Sequence, residues 1–389
     1  GSSFSPEMIF HDIITAYPLD VPFNPDGSIS YTREQNPVAD IEAGYNNSVY
    51  NILQTTLSFE QTLPFIKGLS VKGKASFGKE SSTNKNYMQT VFMHRYDDQG
   101  NLIELYPYGG WNGKIGLRQG YDEYVTTTLN ASIHYNRTFG DHEVAGMALF
   151  EQFDADATNF YAFRTNFAAS GLDELFYGGE SQKDGNGSSF NDGRRSYVMR
   201  GNYNYKQKYL LEASFRVDGS VAFPTSKKYG FFPAVSAGWR ISEEAFMKNS
   251  STLDYITYLK LRASYGVVGN DRNVYSGRTP TFQYKQVFNP SSSIVSGNSA
   301  LSSITPGVLP NPNVTWESAA IFDVGLDGSL WNDKLQFETD FFYKRTSNIL
   351  LNRIRSIPGT LGAQLPAENY AEVDNKGFEI SLTHNNKIG

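Results

Sequence analysis

The sequence contains no cysteine, and this absence excludes several kinds of chemistry together. Disulfide frameworks, thiolate zinc sites and cysteine nucleophiles all require a residue that the chain lacks. The sequence also has no run of 18 consecutive apolar residues, so it offers no transmembrane helix. Basic runs are missing as well, and the net charge of −6 gives no reason to expect a nucleic acid partner.

Motifs for catalysis, phosphate binding and metal binding are also missing. The sequence has no HExxH, no GxSxG and no glycine-rich loop followed by GK[ST], and its five histidines are scattered. The segment Asp184–Gly187 (DGNG) begins like a calcium loop, but Arg195 stands where the closing glutamate is needed, which favours a surface turn. No cofactor is predicted, and an enzyme is the least favoured class of function.

What the sequence does contain is a regular alternation of apolar and polar residues, clearest between Arg195 and Ile241. Successive side chains of a strand point to opposite faces, so each alternating segment has one apolar and one polar face. Aromatic residues such as Tyr197, Tyr209 and Trp239 stand towards the ends of the apolar faces. Aromatic ends are typical of strands that cross the outer membrane, where such rings meet the lipid headgroups.

The alternation recurs along the chain and predicts about eleven strands, joined by short and long connections in turn. The predicted fold class is all-β: an antiparallel transmembrane β-barrel, about half of a 22-strand barrel, with long external loops and short periplasmic turns. Residues 1–48 are predicted to be a loop with a strand end at Met8–Thr15, and residues 49–389 to be the barrel section. Long polar loops are predicted at 78–123, from about 154 to 194, and at 269–315.

Charged residues on the polar faces are predicted to point into the lumen of the barrel. They are Glu212, Arg216, Arg240, Lys260, Arg262, Asp323, Asp327, Glu338, Asp340 and Lys344. These residues either guide a polar substrate or simply line a wet lumen, and the second interpretation is favoured because every large lumen is polar.

A second set of candidates consists of aromatic residues in the predicted loops. They are Tyr106, Tyr108, Trp111, Phe176, Tyr177, Phe223 and Trp316. Loops of a rigid scaffold often carry recognition, so these rings are predicted to contact a substrate or a lid protein. Loops that pack on themselves are the equally favoured alternative.

Several segments resemble the SusC/RagA family of TonB-dependent outer-membrane transporters. The matching segments are Arg195–Ser220, Tyr229–Met247, Leu259–Asp271, Asn311–Ala319 and Val373–Leu382. They follow the family order and the resemblance covers nearly the whole chain. One departure, VAFPTSKKYG after Ser220, replaces a more polar and basic run in a loop.

The resemblance implies a bacterial outer-membrane importer of oligosaccharides or peptides, of the Bacteroidetes type. Such a barrel is closed by a plug, capped by a SusD-like lipoprotein lid and energised through the TonB complex. The chain is expected to be an internal section of a longer protein whose plug, TonB-contacting segment and last strands lie outside it. A structural or adhesive barrel without transport is the alternative function, and a barrel enzyme is a weaker one.

Overall fold

The computed structural model describes residues 6–32, 36–180, 183–271, 282–296, 299–352 and 363–386, and β-strands dominate them. The strands are β1 Gly44–Thr62, β2 Leu69–Met88, β3 Thr90–Tyr96, β4 Leu102–Gly109, β5 Gly116–Phe139, β6 His142–Thr165, β7 Lys183–Tyr205, β8 Tyr209–Ser220, β9 Tyr229–Arg240, β10 Ile256–Asn270, β11 Phe288–Ser296, β12 Ser299–Pro306, β13 Glu317–Leu330, β14 Leu335–Leu351 and β15 Glu368–His384. The helices are α1 Pro6–Thr15, α2 Pro37–Glu42 and α3 Ala245–Lys248, with single 3₁₀ turns at Leu175–Tyr177, Thr225–Lys227, Ile241–Glu243 and Ser251–Leu253. Among the described residues, no helix is both long enough and apolar enough to span a membrane.

Eleven of the strands form one sheet in the order β1-β2-β5-β6-β7-β8-β9-β10-β13-β14-β15. The remaining strands form two separate hairpins, β3 with β4 and β11 with β12. Each alternating segment found in the sequence lies within one strand of the large sheet, and the pairs from β7 to β15 are antiparallel. The predicted all-β antiparallel fold class and the count of about eleven strands are therefore confirmed.

Short turns join β1 to β2, β5 to β6, β7 to β8 and β13 to β14, as predicted, whereas the connection from β9 to β10 is longer than the one from β8 to β9 and contains helix α3. Between β7 and β8, Lys206 and Gln207 have φ values of 53° and 55°, and Lys208 N–H donates to the Tyr205 carbonyl at 2.9 Å. Two consecutive left-handed residues form the tight turn that matches the right-handed twist of paired strands. Gly140, with a φ of 60°, performs the same task between β5 and β6.

The loops predicted at 78–123 and 154–194 are wrong over much of their length. β2 continues to Met88, β5 begins at Gly116, β6 continues to Thr165 and β7 begins at Lys183. Residues 183–189 of β7 are all exposed, so neither face needs apolar side chains and the alternation that reveals a strand is lost. Asp184–Gly187 therefore lies in a strand rather than in a surface turn. The segment 269–315 likewise contains the β11–β12 hairpin, while its residues 272–281 lie outside the described part of the chain.

Residues 1–48 also differ from the prediction. Met8–Thr15 lies within helix α1 rather than at a strand end, and β1 begins at Gly44. The apolar residues of PEMIFHDIIT fall at positions 8, 9, 10, 13 and 14, a spacing that fits a helical repeat better than the two-residue repeat of a strand. Pro6 at the start of the helix suits the first turn, where its missing N–H costs nothing.

By internal contacts the chain divides into two units. Unit 1 comprises Gly1–Thr55, Phe77–Thr127 and Ala155–Asn191, and contains α1, α2 and the β3–β4 hairpin. Its buried cluster is formed by Tyr87, Leu117 and Phe167. Unit 2 comprises Thr56–Ser76, Thr128–Asp154 and Asp192–Gly389, and its buried cluster is Ala222, Phe223, Phe232, Val314, Trp316 and Leu350.

Candidate functional site

A row of charged side chains crosses four neighbouring strands of unit 2. Arg240 on β9 is paired in register with Lys260 on β10, which is paired with Asp327 on β13, which is paired with Glu338 on β14. Residues directly opposite each other in adjacent strands share a face of the sheet. The alternation of the sequence therefore places all four side chains on the same polar face.

Arg262 stands at the centre of this polar face and binds four carboxylates. Its Nε donates to Asp327 Oδ1 at 2.9 Å and its NH1 donates to Asp323 Oδ1 at 3.3 Å. Its NH2 donates to Glu338 Oε1 at 3.0 Å and to Asp340 Oδ2 at 2.6 Å. The planar fork of a guanidinium has enough donors for such a set, which the point charge of a lysine could not orient. We call these five residues the Arg262 cluster.

Several other predicted polar-face charges are also paired. Arg200 NH2 lies 2.5 Å from Glu212 Oε2, and Arg216 NH2 lies 2.9 Å from Asp218 Oδ1. Arg240 is 3.8 Å from Glu243 and Lys260 is 3.9 Å from Asp327. The structure thus brings the predicted charges together on one face, and that this face lines a lumen stays a prediction.

A cavity of about 510 Å³ lies against this face in unit 2. Its polar lining includes Asn202, Glu212, Ser236, Lys260, Arg262 and Asp323. Both basic and acidic groups line it, so the cavity suits a ligand that is polar and carries hydrogen-bonding groups of both kinds rather than one strong charge.

The opposite face of the same strands is apolar and exposed. Its large exposed residues include Tyr197, Met199, Tyr209, Leu211, Val235, Trp239, Leu261, Tyr265, Phe322, Phe341, Tyr343, Phe378, Ile380 and Leu382. Phe378 alone has 67% of its surface exposed. Soluble monomeric proteins rarely expose a continuous apolar surface formed by so many large side chains. Such a surface marks contact with a partner or with lipid.

A second candidate surface lies in unit 1, on the segment between β6 and β7. Phe176 and Tyr177 are exposed, and their ring centroids are 4.0 Å apart. A cavity of about 580 Å³ adjoins them and is lined by Ala162, Phe163, Arg164, Leu175, Phe176, Lys183, Asp184 and Gly185. Adjacent exposed rings beside charged groups offer a ligand both stacking and hydrogen bonds.

Side chains of strands β1, β2 and β6 hold this segment in place. Lys85 Nζ on β2 lies 3.0 Å from Asp173 Oδ2, and the hydroxyl of Tyr45 on β1 donates to the same carboxylate. Arg164 NH1 is 3.0 Å from Glu180 and 3.2 Å from the carbonyl of Gly178. Sequence reasoning missed Tyr45, Lys85 and Asp173, because nothing in one sequence shows that residues so far apart meet.

Tyr106, Tyr108 and Trp111 are engaged in packing within unit 1. Tyr106 stacks on Tyr31 with ring centroids 3.9 Å apart, and Trp111 meets Phe163 edge-on at 4.8 Å. The hydroxyl of Tyr108 donates to Asp40, and burial together with this hydrogen bond raises the pKa of Tyr108 above its ordinary value. Tyr106 and Tyr108 lie in strand β4 rather than in a loop.

Trp316 and Phe223 belong to the buried cluster of unit 2 rather than to a ligand surface. Phe223 is 1% exposed and Trp316 is 9% exposed, with ring centroids 5.0 Å apart. The Nε1 of Trp316 donates to the carbonyl of Lys228 at 3.2 Å. With its rings packed against Phe223 and Phe232, Trp316 has no open face for a ligand, so we assign it a packing role.

Comparisons with known proteins agree with this architecture. The family model described as "TonB dependent receptor-like, beta-barrel" matches residues 11–387. The chain is 32% identical to TonB-dependent receptor P26 of Formosa agariphila over 388 residues, which is 97% of this chain and 36% of that protein. It is 25% identical to TonB-dependent receptor SusC of Bacteroides thetaiotaomicron, over 90% of this chain and 32% of SusC.

Among solved structures, the RagAB peptide importer in its closed-closed state matches with a TM-score of 0.75 and 18% identity, over 95% of this chain and 38% of that chain. At this identity the match shows the fold. The chain spans about a third of the length of the curated relatives, with coverage from 25% to 36% of their sequences. The resemblance found in its motifs is confirmed, and the chain belongs to the TonB-dependent receptor β-barrel family.

Proposed function

We propose that this chain forms part of the wall and external surface of an outer-membrane, TonB-dependent importer. The observation that carries the proposal is the contrast between the two faces of the strands of unit 2. One face exposes aromatic and aliphatic side chains, and the other carries the Arg262 cluster and further ion pairs. A strand that crosses a membrane needs apolar residues towards lipid and tolerates charges only towards water.

The relatives support transport as the purpose of such a wall. The similar proteins are receptors by name, and one similar structure is that of a peptide importer. In this proposal a SusD-like surface lipoprotein acts as the lid, the TonB complex supplies energy, and the imported substrates are oligosaccharides or peptides. The lumen side of the wall is the polar face, and its paired charges keep it wet without attracting ions of one sign.

Phe176 and Tyr177 are the residues that we propose to contact the substrate or the lid. They are exposed, adjacent and held on an anchored segment, whereas Tyr106, Trp111 and Trp316 are occupied by packing. Aromatic rings that are already fixed in place lose little conformational entropy when a ligand stacks on them. This favours them over the rings of the β3–β4 hairpin.

Cysteine labelling tests the assignment of the two faces, because the chain has no cysteine of its own. Glu338→Cys and Phe341→Cys lie on the same strand, on the polar and apolar faces respectively. In intact outer membranes we expect a water-soluble maleimide to label Glu338→Cys strongly and Phe341→Cys weakly, with the unsubstituted full-length protein as background. Stronger labelling of Phe341→Cys would reject the proposed orientation of the wall.

Uptake measurements test the aromatic surface. We expect Phe176→Ala with Tyr177→Ala to lower substrate uptake at least tenfold while barrel abundance is unchanged, since stacking contributes about 1 kcal/mol or more per ring. Phe65→Ala is the matched control, because Phe65 is an equally exposed ring on the short turn between β1 and β2. Uptake that is unaffected by the double substitution would remove these rings from the site.

A further inference from the structure

Two carboxyl groups are buried together where the first two helices meet. Asp12 on α1 is 8% exposed and Asp40 on α2 is 1% exposed. In the described part of the chain, the Oδ2 atom of each is buried without a hydrogen-bond partner. Two ionised carboxylates are poorly tolerated in such a place, so the pair requires a positive charge between its oxygens.

Among the described residues, no lysine or arginine is found to act on Asp40. The side chains that act on Asp40 are Asp12 and Tyr108, and neither is basic. His11 Nδ1 lies 3.2 Å from the other oxygen of Asp12, but the side chain of His11 is 68% exposed.

Neither basic residue of β3 is among the side chains that act on Asp40. Arg95 lies over the ring of Tyr31 at 5.9 Å, and His94 stacks with Tyr96 while its Nδ1 is buried without a hydrogen-bond partner in the described part of the chain. On β4, Glu104 accepts a hydrogen bond from Tyr106. Asp12 acts on Asp40 through its charge and a side-chain hydrogen bond. A proton is the smallest cation that two neighbouring carboxyl groups can share, and it converts one of them into a donor.

The two helices differ in how firmly they are attached. The side chain of Asn36 caps α2 by accepting from Val38 N–H at 3.0 Å. Its amide also donates to the carbonyls of Pro22 and Ser30, at 3.0 and 2.8 Å, so α2 is fixed independently of Asp40. On α1, by contrast, Phe10, Ile13 and Ile14 are exposed, whereas Asp12 is buried. A change at the carboxyl pair therefore acts mainly on α1.

We propose that Asp12 and Asp40 share a proton and so form a pH-sensitive clip that fastens α1 to α2. Below neutral pH the clip is closed. As the medium becomes neutral the proton leaves, the two carboxylates repel each other, and α1 separates from α2 while α2 remains on the β3–β4 hairpin.

The direction of this dependence follows from the titration of Asp40. Burial and the neighbouring Asp12 raise the pKa of Asp40 from 3.8 to about 6, against the opposing hydrogen bond from Tyr108. Because the pKa is higher in the packed state, protonation favours packing. The stabilisation is complete below about pH 4 and is lost as the pH rises through about 6.

Hydrogen exchange of the α1 amides in the full-length, detergent-solubilised protein tests the clip. After correction for intrinsic exchange rates, we expect protection of α1 to fall about tenfold from pH 5 to pH 8. In Asp40→Asn, which removes the titrating group, protection is expected to be the same at both pH values. An Asp40→Asn variant that keeps the pH dependence of the wild type would overturn the proposal.

Three further measurements complete the test. Tyr108→Phe removes the hydrogen bond that favours ionised Asp40, so the midpoint of the pH dependence of α1 protection should move to higher pH. A midpoint that moves to lower pH contradicts the clip.

Asp98→Asn removes an exposed carboxyl from the β3–β4 turn and should leave the pH dependence of α1 protection unchanged. If Ca²⁺ restores protection at pH 8 and a chelator abolishes it, the pair binds a metal ion and the shared proton is rejected.

Discussion

Gly325 on β13 lies directly opposite Arg262 on β10. A Cβ atom at Gly325 would stand 2.5 Å from Cζ of Arg262 and 2.6 Å from Oδ1 of Asp340. The missing side chain therefore leaves the space through which the guanidinium reaches across β13 to the carboxylate on β14. Because Gly325 has no side chain, Arg262 on β10 can bind carboxylates on both β13 and β14.

Gly325→Ala is expected to displace the guanidinium and weaken the Arg262 cluster. Forcing a methyl group into an occupied space costs about 1–3 kcal/mol, and here the displaced group is also charged. Thermal unfolding of the detergent-solubilised protein measures the loss. Gly201→Ala, in the same sheet with nothing within 4 Å of its Cβ, is the control, and an equal loss in both variants would contradict the role of Gly325.

Arg262→Met is expected to lower the free energy of unfolding by about 2–3 kcal/mol, because it leaves the carboxylates of Asp323, Asp327 and Asp340 without their shared cation. Adding Asp340→Asn should recover part of this loss, since one negative charge is removed from the group. Denaturant midpoints of the two single variants and the double variant give the coupling energy. A coupling energy near zero would show that the contacts contribute nothing measurable.

Lys85→Met is expected to loosen the segment that carries Phe176 and Tyr177. The lost ion pair with Asp173 is partly exposed, so the effect is about 0.5–1 kcal/mol, or a two- to fivefold increase in opening. Limited proteolysis between Phe167 and Tyr177 measures it. Lys72→Met on the same strand removes the exposed pair with Glu60 and should leave cleavage unchanged.

Trp316→Ala is expected to destabilise unit 2 by about 3–5 kcal/mol, because it empties the centre of a buried cluster. Trp316→Phe should cost less, since most of the apolar volume is kept. Substrate uptake per correctly assembled molecule should be unchanged in Trp316→Phe. A selective loss of uptake with normal assembly would restore Trp316 as a ligand contact.

Alternation of apolar and polar residues predicts the strands of the large sheet that have one apolar and one polar face, whereas the Val144–Phe150 segment of β6 is apolar on both faces and its orientation is ambiguous from sequence. It could not reveal the ends of β2, β5, β6 and β7, because both faces there carry polar side chains and only the backbone ladder identifies them. Helix α1 is not predicted, because the many Pro, Asn and Asp residues between positions 1 and 48 favour a loop. The predicted charges on the polar face do come together, but the position of Arg262 at their centre depends on the register of three strands and on Gly325.

Tertiary packing also decides which of the aromatic candidates are exposed and which are buried. Phe176 and Trp316 look alike in sequence, since each stands in a polar segment rich in turn residues. One is 70% exposed and the other is 9% exposed, because Trp316 meets Phe223 and Phe232 from distant segments. Which ring is covered is a tertiary property that local sequence does not contain.

The strand order of the large sheet follows the order of the chain throughout, interrupted only where the β3–β4 and β11–β12 hairpins are set aside. Every pairing in it therefore joins neighbours along the chain, and each loop that must close is short compared with the whole protein. Such a sheet can be assembled one strand at a time, each new strand adding to the free edge of the last. The structure is thus compatible with stepwise insertion during biogenesis, in which no distant segment has to arrive before the next hairpin forms.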